Sequence, residues 1–147
     1  MFYQKSFFRL VLGVALLSLS CGLVFAAKPP RVKHVFIVSF DQGNPELIRK
    51  TDMPTFHQMA SGGARTWEAY TIVPSLTLPS HTSMLTGVGP QVHQILWNDY
   101  RPTNGVVKVP TIFSLAKTRG LKTAMFVGKE KFKHLELPGT VDELVWP

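Results

Sequence analysis

Residues 71–98 read TIVPSLTLPSHTSMLTGVGPQVHQILWN, and the changes of character along them set the fold. The β-branched approach Thr71-Ile72-Val73 is strand-like. Pro79 suits the first turn of a helix, where a missing N–H costs nothing. Helical character continues through Thr82–Thr86 and stops at Gly87. Thr77 is then expected just before the helix, where outward-pointing backbone N–H groups favour anions such as phosphate. A hydroxyl on such a turn can serve as a nucleophile, or simply as a helix cap. Ser75, Ser80, Thr82 and Ser83 compete for the nucleophile role, and spacing alone does not choose among these hydroxyls.

Upstream, His34–Phe40 is HVFIVSF, a continuous β-branched apolar run that predicts a buried parallel strand. It ends at Asp41. A carboxylate at the C-terminal end of a parallel strand lies where open α/β sheets place ligands, although Asp41 also suits the cap of the next turn. A helical turn is expected over 44–50, a helix from Pro54 to about Ala60 stopped by Gly62-Gly63, and a strand over 64–73. The Phe56, Met59 and Ala60 spacing puts His57 outward or at the core border. Downstream, Pro110 opens a helix with an apolar face of Ile112, Phe113, Leu115 and Ala116, ended by Gly120. LKTAMFVG, residues 121–128, reads as a second buried strand, and 141–146 as a further short one. A helix feeding a parallel strand is half of a βαβ unit.

The N-terminus stands apart. Lys5 and Arg9 precede a nearly unbroken apolar run from Leu10 to Val24, and Val24-Phe25-Ala26 offers small residues for cleavage. This is the pattern of a secretory signal peptide over 1–26, with export to the periplasm or exterior and no transmembrane span after cleavage. The apolar run is shorter than the ~20 residues that span a bilayer comfortably. Cys21 suggests a lipoprotein site, but Ser18 stands where a large apolar residue belongs. That Cys is the only one in the chain and leaves with the signal, so no disulfide is expected. Removing Lys5 and Arg9 from the +7 chain leaves a net charge of about +5, which favours anionic partners. Lys129, Lys131 and Lys133 read as a solvated face. No interleaving of basic and aromatic residues marks a nucleic-acid module.

The run Ser75-Leu76-Thr77-Leu78-Pro79-Ser80-His81, followed by Met84-Leu85-Thr86-Gly87, resembles the nucleophile segment of the nucleotide pyrophosphatase/phosphodiesterase family. That family lies within the alkaline phosphatase superfamily, and its pattern is roughly T-F-P-(N/S)-H before a short helix ending in T-G. MPTFHQMASGGA resembles the first helix of the superfamily. TIFSLAK and KTAMFVGKEKF resemble the family's later helix, strand and turn. The resemblance runs from about residue 34 to at least residue 133. It implies an α/β fold, a mostly parallel sheet with helices on both faces, here in its N-terminal portion over 27–147. It implies hydrolysis of phosphodiester or nucleotide substrates by a Thr nucleophile and two metal ions, usually zinc. Thr77 takes the place of the nucleophile and contacts metal, Asp41 takes that of a metal ligand, and Asn98 that of the donor to a phosphate oxygen. His81 and His93 match no ligand position and are read as structural. The Gly that ordinarily follows the Asp is displaced by one, as Asp41-Gln42-Gly43.

The remaining family ligands, mainly Asp and His, lie beyond the part of the family that Pro147 matches. The resemblance therefore implies the N-terminal portion of a secreted enzyme, inactive alone. A non-catalytic secreted binding protein of the same fold is the alternative. Another superfamily hydrolase is a further one, although a sulfatase's C/S-x-P-x-R is absent here.

Overall fold

The computed structural model describes residues 32–146; the expected signal segment 1–26, with Cys21, lies outside them. The chain falls into two units, Met1–Ser39 and Phe40–Pro147. In the first, residues 32–39 form neither helix nor strand. The buried strand predicted for 34–40 is not there: Val35, Phe36, Ile37 and Val38 are 63–84% exposed. A strand is a pairing, and among the described residues no strand pairs with this run.

In the second unit local signals dominate. Asn44 caps helix α1 (Pro45–Lys50), its Oδ1 accepting from the N–H groups of Glu46 at 2.9 Å and Leu47 at 3.2 Å. Helix α2 (Pro54–Gly62) opens on its proline and ends at the glycine pair, as expected. Its expected apolar face is only partly used. Phe56 rests beside Trp67 and Ala60 is half-buried, but Met59 is exposed while His57 is half-buried against the Thr51 carbonyl. The strand expected over 64–73 is also missing, and Tyr70 and Val73 stand fully in solvent.

Helix α3 (Thr77–Thr86) ends on Gly87, whose φ of 72° is the left-handed cap that glycine adopts without strain. The short helix α4 (Pro90–His93) packs against it. Helix α5 (Ile112–Thr118) begins later than Pro110 suggests, because Thr111 and Ser114 form a capping box. Its expected apolar face is also narrower: Phe113 meets the core, whereas Ile112 and Leu115 are exposed.

The 121–128 run yields only strand β1 (Ala124–Phe126), and the end of the chain yields strand β2 (Glu143–Val145). They pair in parallel, with Met125 opposite Leu144. A parallel pair needs a crossover, and here it contains the 3₁₀ turn Glu130–Leu135. The result is helices with a small parallel two-stranded sheet, an α/β arrangement. The buried apolar core is Leu78 from α3, Ile95, Val107, Met125 from β1, and Phe132 and Leu135 from the crossover turn. That core fixes the start of α3 against the turn after β1, the two features that make the site. Among the described residues no helix is long and apolar enough to cross a membrane.

Candidate active site around Thr77

Thr77 is the first residue of α3, one place further into the helix than its expected position before it; the cap position belongs to Leu76, which has no side chain able to cap. Pro79 accordingly sits third, still within the first turn, where no intrahelical N–H bond is lost. The Thr77 hydroxyl faces Asp41, with Oγ1 3.4 Å from Oδ2. Two rival hydroxyls are engaged elsewhere. Thr82 is buried and donates to the Leu78 carbonyl at 2.7 Å, and Ser83 lies 3.0 Å from His93 Nε2.

The N-terminus of α3 is capped from a distance. Asn98 Oδ1 accepts the Leu78 N–H at 3.0 Å, which satisfies a donor that the helix itself leaves open. Asn98 is in turn held by Lys131, whose Nζ donates to its backbone oxygen at 2.8 Å and to Oδ1 at 3.1 Å. Lys129, two residues earlier, places its ammonium on the same Asp41 oxygen that faces Thr77. The hydrogen bond from Lys129 holds the Asp41 carboxyl below its ordinary range, helped by the Lys129 and His81 charges and the Thr77 hydroxyl. Asp41, Thr77 and Asn98 therefore gather at one helix start, and Lys129 and Lys131 gather with them.

The two lysines are what the sequence reading missed. It placed them on a solvated face, whereas Lys131 is half-buried and both reach site residues. A usable signal was present. Gly128-Lys129-Glu130-Lys131 follows β1 after Val127, and the carboxyl end of a parallel strand is where such sheets collect ligand-binding groups.

The zinc pair implied by the resemblance needs Asp and His donors in a four-ligand shell. Asp41 carries an ammonium on the oxygen nearest Thr77, and among the described residues no three His, Cys, Asp or Glu side chains come together. This donor set does not fit a zinc ion.

The histidines are placed by their neighbours. His93 is buried, and its Nδ1 accepts the Ile95 N–H at 3.0 Å. The neutral ring therefore carries its proton on Nε2 and donates to Ser83, the reverse of the polarity a Ser–His nucleophile pair requires. Burial lowers its pKa and keeps it neutral. His81 Nδ1 lies 2.8 Å from the Thr77 carbonyl, which can only accept, so the ring donates there from one turn along α3. Its edge meets Phe132. His134, also buried, accepts the Arg101 N–H at Nε2 and donates from Nδ1 to the Gly105 carbonyl. It thereby pins the 101–105 loop to the turn that carries Lys131.

The sequence model of the type I phosphodiesterase / nucleotide pyrophosphatase family matches residues 35–139. Over 90 residues the chain is 29% identical to ectonucleotide pyrophosphatase/phosphodiesterase family member 5 of Homo sapiens, a match covering 61% of this chain and 19% of that protein. Over 84 residues it is 33% identical to ectonucleotide pyrophosphatase/phosphodiesterase C27A7.1 of Caenorhabditis elegans, covering 56% of this chain and 10% of that one. The matched stretches thus span about a fifth and a tenth of these relatives' lengths. No solved structure matches the chain.

Proposed function

The chain belongs to the type I phosphodiesterase / nucleotide pyrophosphatase family, and from that premise we propose that it supplies the nucleophile portion of a secreted phosphodiesterase acting on nucleotides or related diesters. Thr77 is the nucleophile in this reading. Its Oγ1 gives up its proton and bonds phosphorus, and the ester oxygen leaves on the opposite side and takes up a proton as an alcohol. Water later cleaves the Thr77 ester to release a phosphate monoester and restore the hydroxyl. Asn98 presents its amide NH₂ to a phosphoryl oxygen, where charge grows in the transition state. The observation that carries the reading is the convergence of Thr77 Oγ1, the Asp41 carboxylate and the Asn98 amide at the start of α3.

The same geometry supports a limit. Asp41 is a weak base because Lys129 lowers its pKa, and the imidazole Nδ1 of His81 is committed to the Thr77 carbonyl. In this reading Thr77 is activated only together with the family's further metal donors, and the expectation is no phosphodiester turnover at an enzymatic rate from this chain alone. Metal chemistry of the family's kind requires donors beyond Asp41 and Thr77. For the fold, we extend the parallel β1–β2 pair to an alkaline phosphatase-like sheet with helices on both faces. The parallel register of the β1–β2 pair and the family match over residues 35–139 support this. The signal peptide over 1–26, with the exported chain starting at Ala27, remains part of the reading on sequence grounds.

The Lys129–Asp41 pair favours a second reading, a non-catalytic secreted protein that binds an anion at this site. One experiment tests both. The exported chain is purified, bound zinc is measured, and a chromogenic phosphodiester is assayed. The expected result is no stoichiometric zinc and no turnover above buffer, with bound inorganic phosphate shifting the NMR signals of Thr77 and Asn98. Stoichiometric zinc with turnover that disappears in Thr77→Ala would sink the inactivity claim and uphold the nucleophile. Phosphate that shifts neither residue removes the site itself.

A further inference from the structure

We propose that Lys131 is a positioning residue, which with the Leu78 N–H locks the Asn98 amide so that its NH₂ is the end left for an oxyanion beside Thr77. The argument is one of donors. An amide has an accepting end and a donating end, and the two look alike in shape. Both groups that meet the outer end of Asn98 can only donate: the Leu78 backbone N–H at 3.0 Å and the Lys131 ammonium at 3.1 Å. The outer atom must therefore be Oδ1. A flipped amide would set NH₂ against N–H and NH₃⁺, losing both bonds and gaining repulsion.

Lys131 is itself well placed to hold this orientation. Its Nζ also bonds the Asn98 backbone oxygen at 2.8 Å, so it grips the residue at both of its oxygens. Its neighbours in the 3₁₀ turn, Phe132, His134 and Leu135, are buried, and His134 ties that turn to the loop after Asn98. Lys131 forms no ion pair among the described residues, so this contact is not a by-product of neutralising a carboxylate. Lys129, by contrast, is spent on Asp41.

The inference deepens the proposed function, since it rests on Asn98 meeting a phosphoryl oxygen, but its test does not need turnover. In the ¹⁵N-labelled full chain, one pair of Asn98 NH₂ signals is expected, with a protected Leu78 amide. Lys131→Met, which keeps the aliphatic stem and removes the donors, should double or broaden that pair. It should also speed Leu78 amide exchange by roughly five- to tenfold, the effect of one lost hydrogen bond. Lys131→Arg, which retains donors, should restore the single pair. A folded Lys131→Met chain with Asn98 signals and Leu78 exchange unchanged overturns the proposal. If Lys131→Met does not fold, Lys131→Arg decides: a folded Arg variant without the single pair overturns it equally. Inorganic phosphate separates the two readings. If it leaves Asn98 unmoved in a wild-type chain whose signature is lost in Lys131→Met, the lock stands and the oxyanion role of Asn98 falls.

Discussion

The chain before Leu76 and the chain after it obey different rules. Every buried apolar side chain among the described residues lies between Leu78 and Leu135, while the earlier stretch leaves Phe36, Tyr70 and Val73 in water. The earlier stretch is not poor in apolar residues; HVFIVSF is a continuous apolar run. Among the described residues its 34–40 run joins no sheet, and its apolar side chains stay exposed. Among its described residues α1 and α2 are helices whose hydrogen bonds close within themselves, and these form from local signals. The later stretch adds contacts between residues far apart in sequence, and only there does burial follow hydrophobicity.

The sharpest way to break this contrast is to delete a large side chain on each side of it. Leu78→Ala removes a fully buried side chain from the centre of the core and should destabilise the chain by about 2–5 kcal/mol. Phe36→Ala removes a larger side chain that is 84% exposed and should change stability by no more than about 0.5 kcal/mol. Urea unfolding of the two variants is the measurement. A comparable loss from Phe36→Ala would show that the 34–40 run is buried in solution and that the contrast is wrong.

A second, smaller effect sharpens the role of the residue that caps α3 from outside. Asn98→Ala strips the Leu78 N–H of its partner and should cost about 1 kcal/mol, the usual loss for a helix cap. Asn98→Asp keeps an accepting oxygen toward both Leu78 and Lys131, so the fold should hold. It replaces the NH₂ by a second oxygen, however, and phosphate binding should disappear. If Asn98→Asp bound phosphate normally, the amide would be a cap and nothing more.

A third test concerns the join that closes the later region. Asp142 accepts from Lys117 Nζ at 2.7 Å and from the Thr123 N–H at 2.8 Å, tying α5 and the approach to β1 to the entry of β2. These partners, Lys117 first, lower its pKa from 3.8 to about 2. A carboxyl whose folded pKa lies below its unfolded value binds its proton more weakly when folded. Its contribution is therefore complete above pH ~4 and lost as the pH falls toward 2. Asp142→Asn should flatten the fall in stability over that window and leave the earlier helices unaffected. An unchanged acid profile would show that the join adds nothing.

These contrasts also say what was legible in the sequence. Caps and stops could be read directly, as Asn44, the Gly62-Gly63 pair and Gly87 show, because each acts within a turn of itself. The capping box of Thr111 and Ser114 was equally local and was overlooked in favour of Pro110. The strands over 34–40 and 64–73 were misread because apolar β-branched composition records a capacity for pairing and not the presence of a partner. At the site, the family resemblance pointed to Asp41, Thr77 and Asn98, and these three do lie together. No local pattern joins Lys129 to Asp41 across 88 residues, or Lys131 to Asn98 across 33.

The smallest expected effect lies where the two regions touch. The Lys129–Asp41 pair draws a carboxylate from the earlier stretch onto the turn after β1, but both partners are well exposed, at 46% and 37%. An ion pair in that setting gains little, because water screens it and two mobile side chains must be held still; about 0–1 kcal/mol is the usual range. Lys129→Met should therefore change overall stability by less than about 1 kcal/mol, and the difference should vanish near 1 M salt, where screening acts within ~3 Å. The pH dependence has a fixed sign. The folded pKa of Asp41 is lowered, so the pair contributes above the unfolded carboxyl value of 3.8 and is lost on acidification below it. Urea unfolding of wild type and Lys129→Met at low salt, at high salt and at acid pH gives the three comparisons. A loss of several kcal/mol that persists at 1 M salt would mean that the pair is buried in solution and that the two regions form one core.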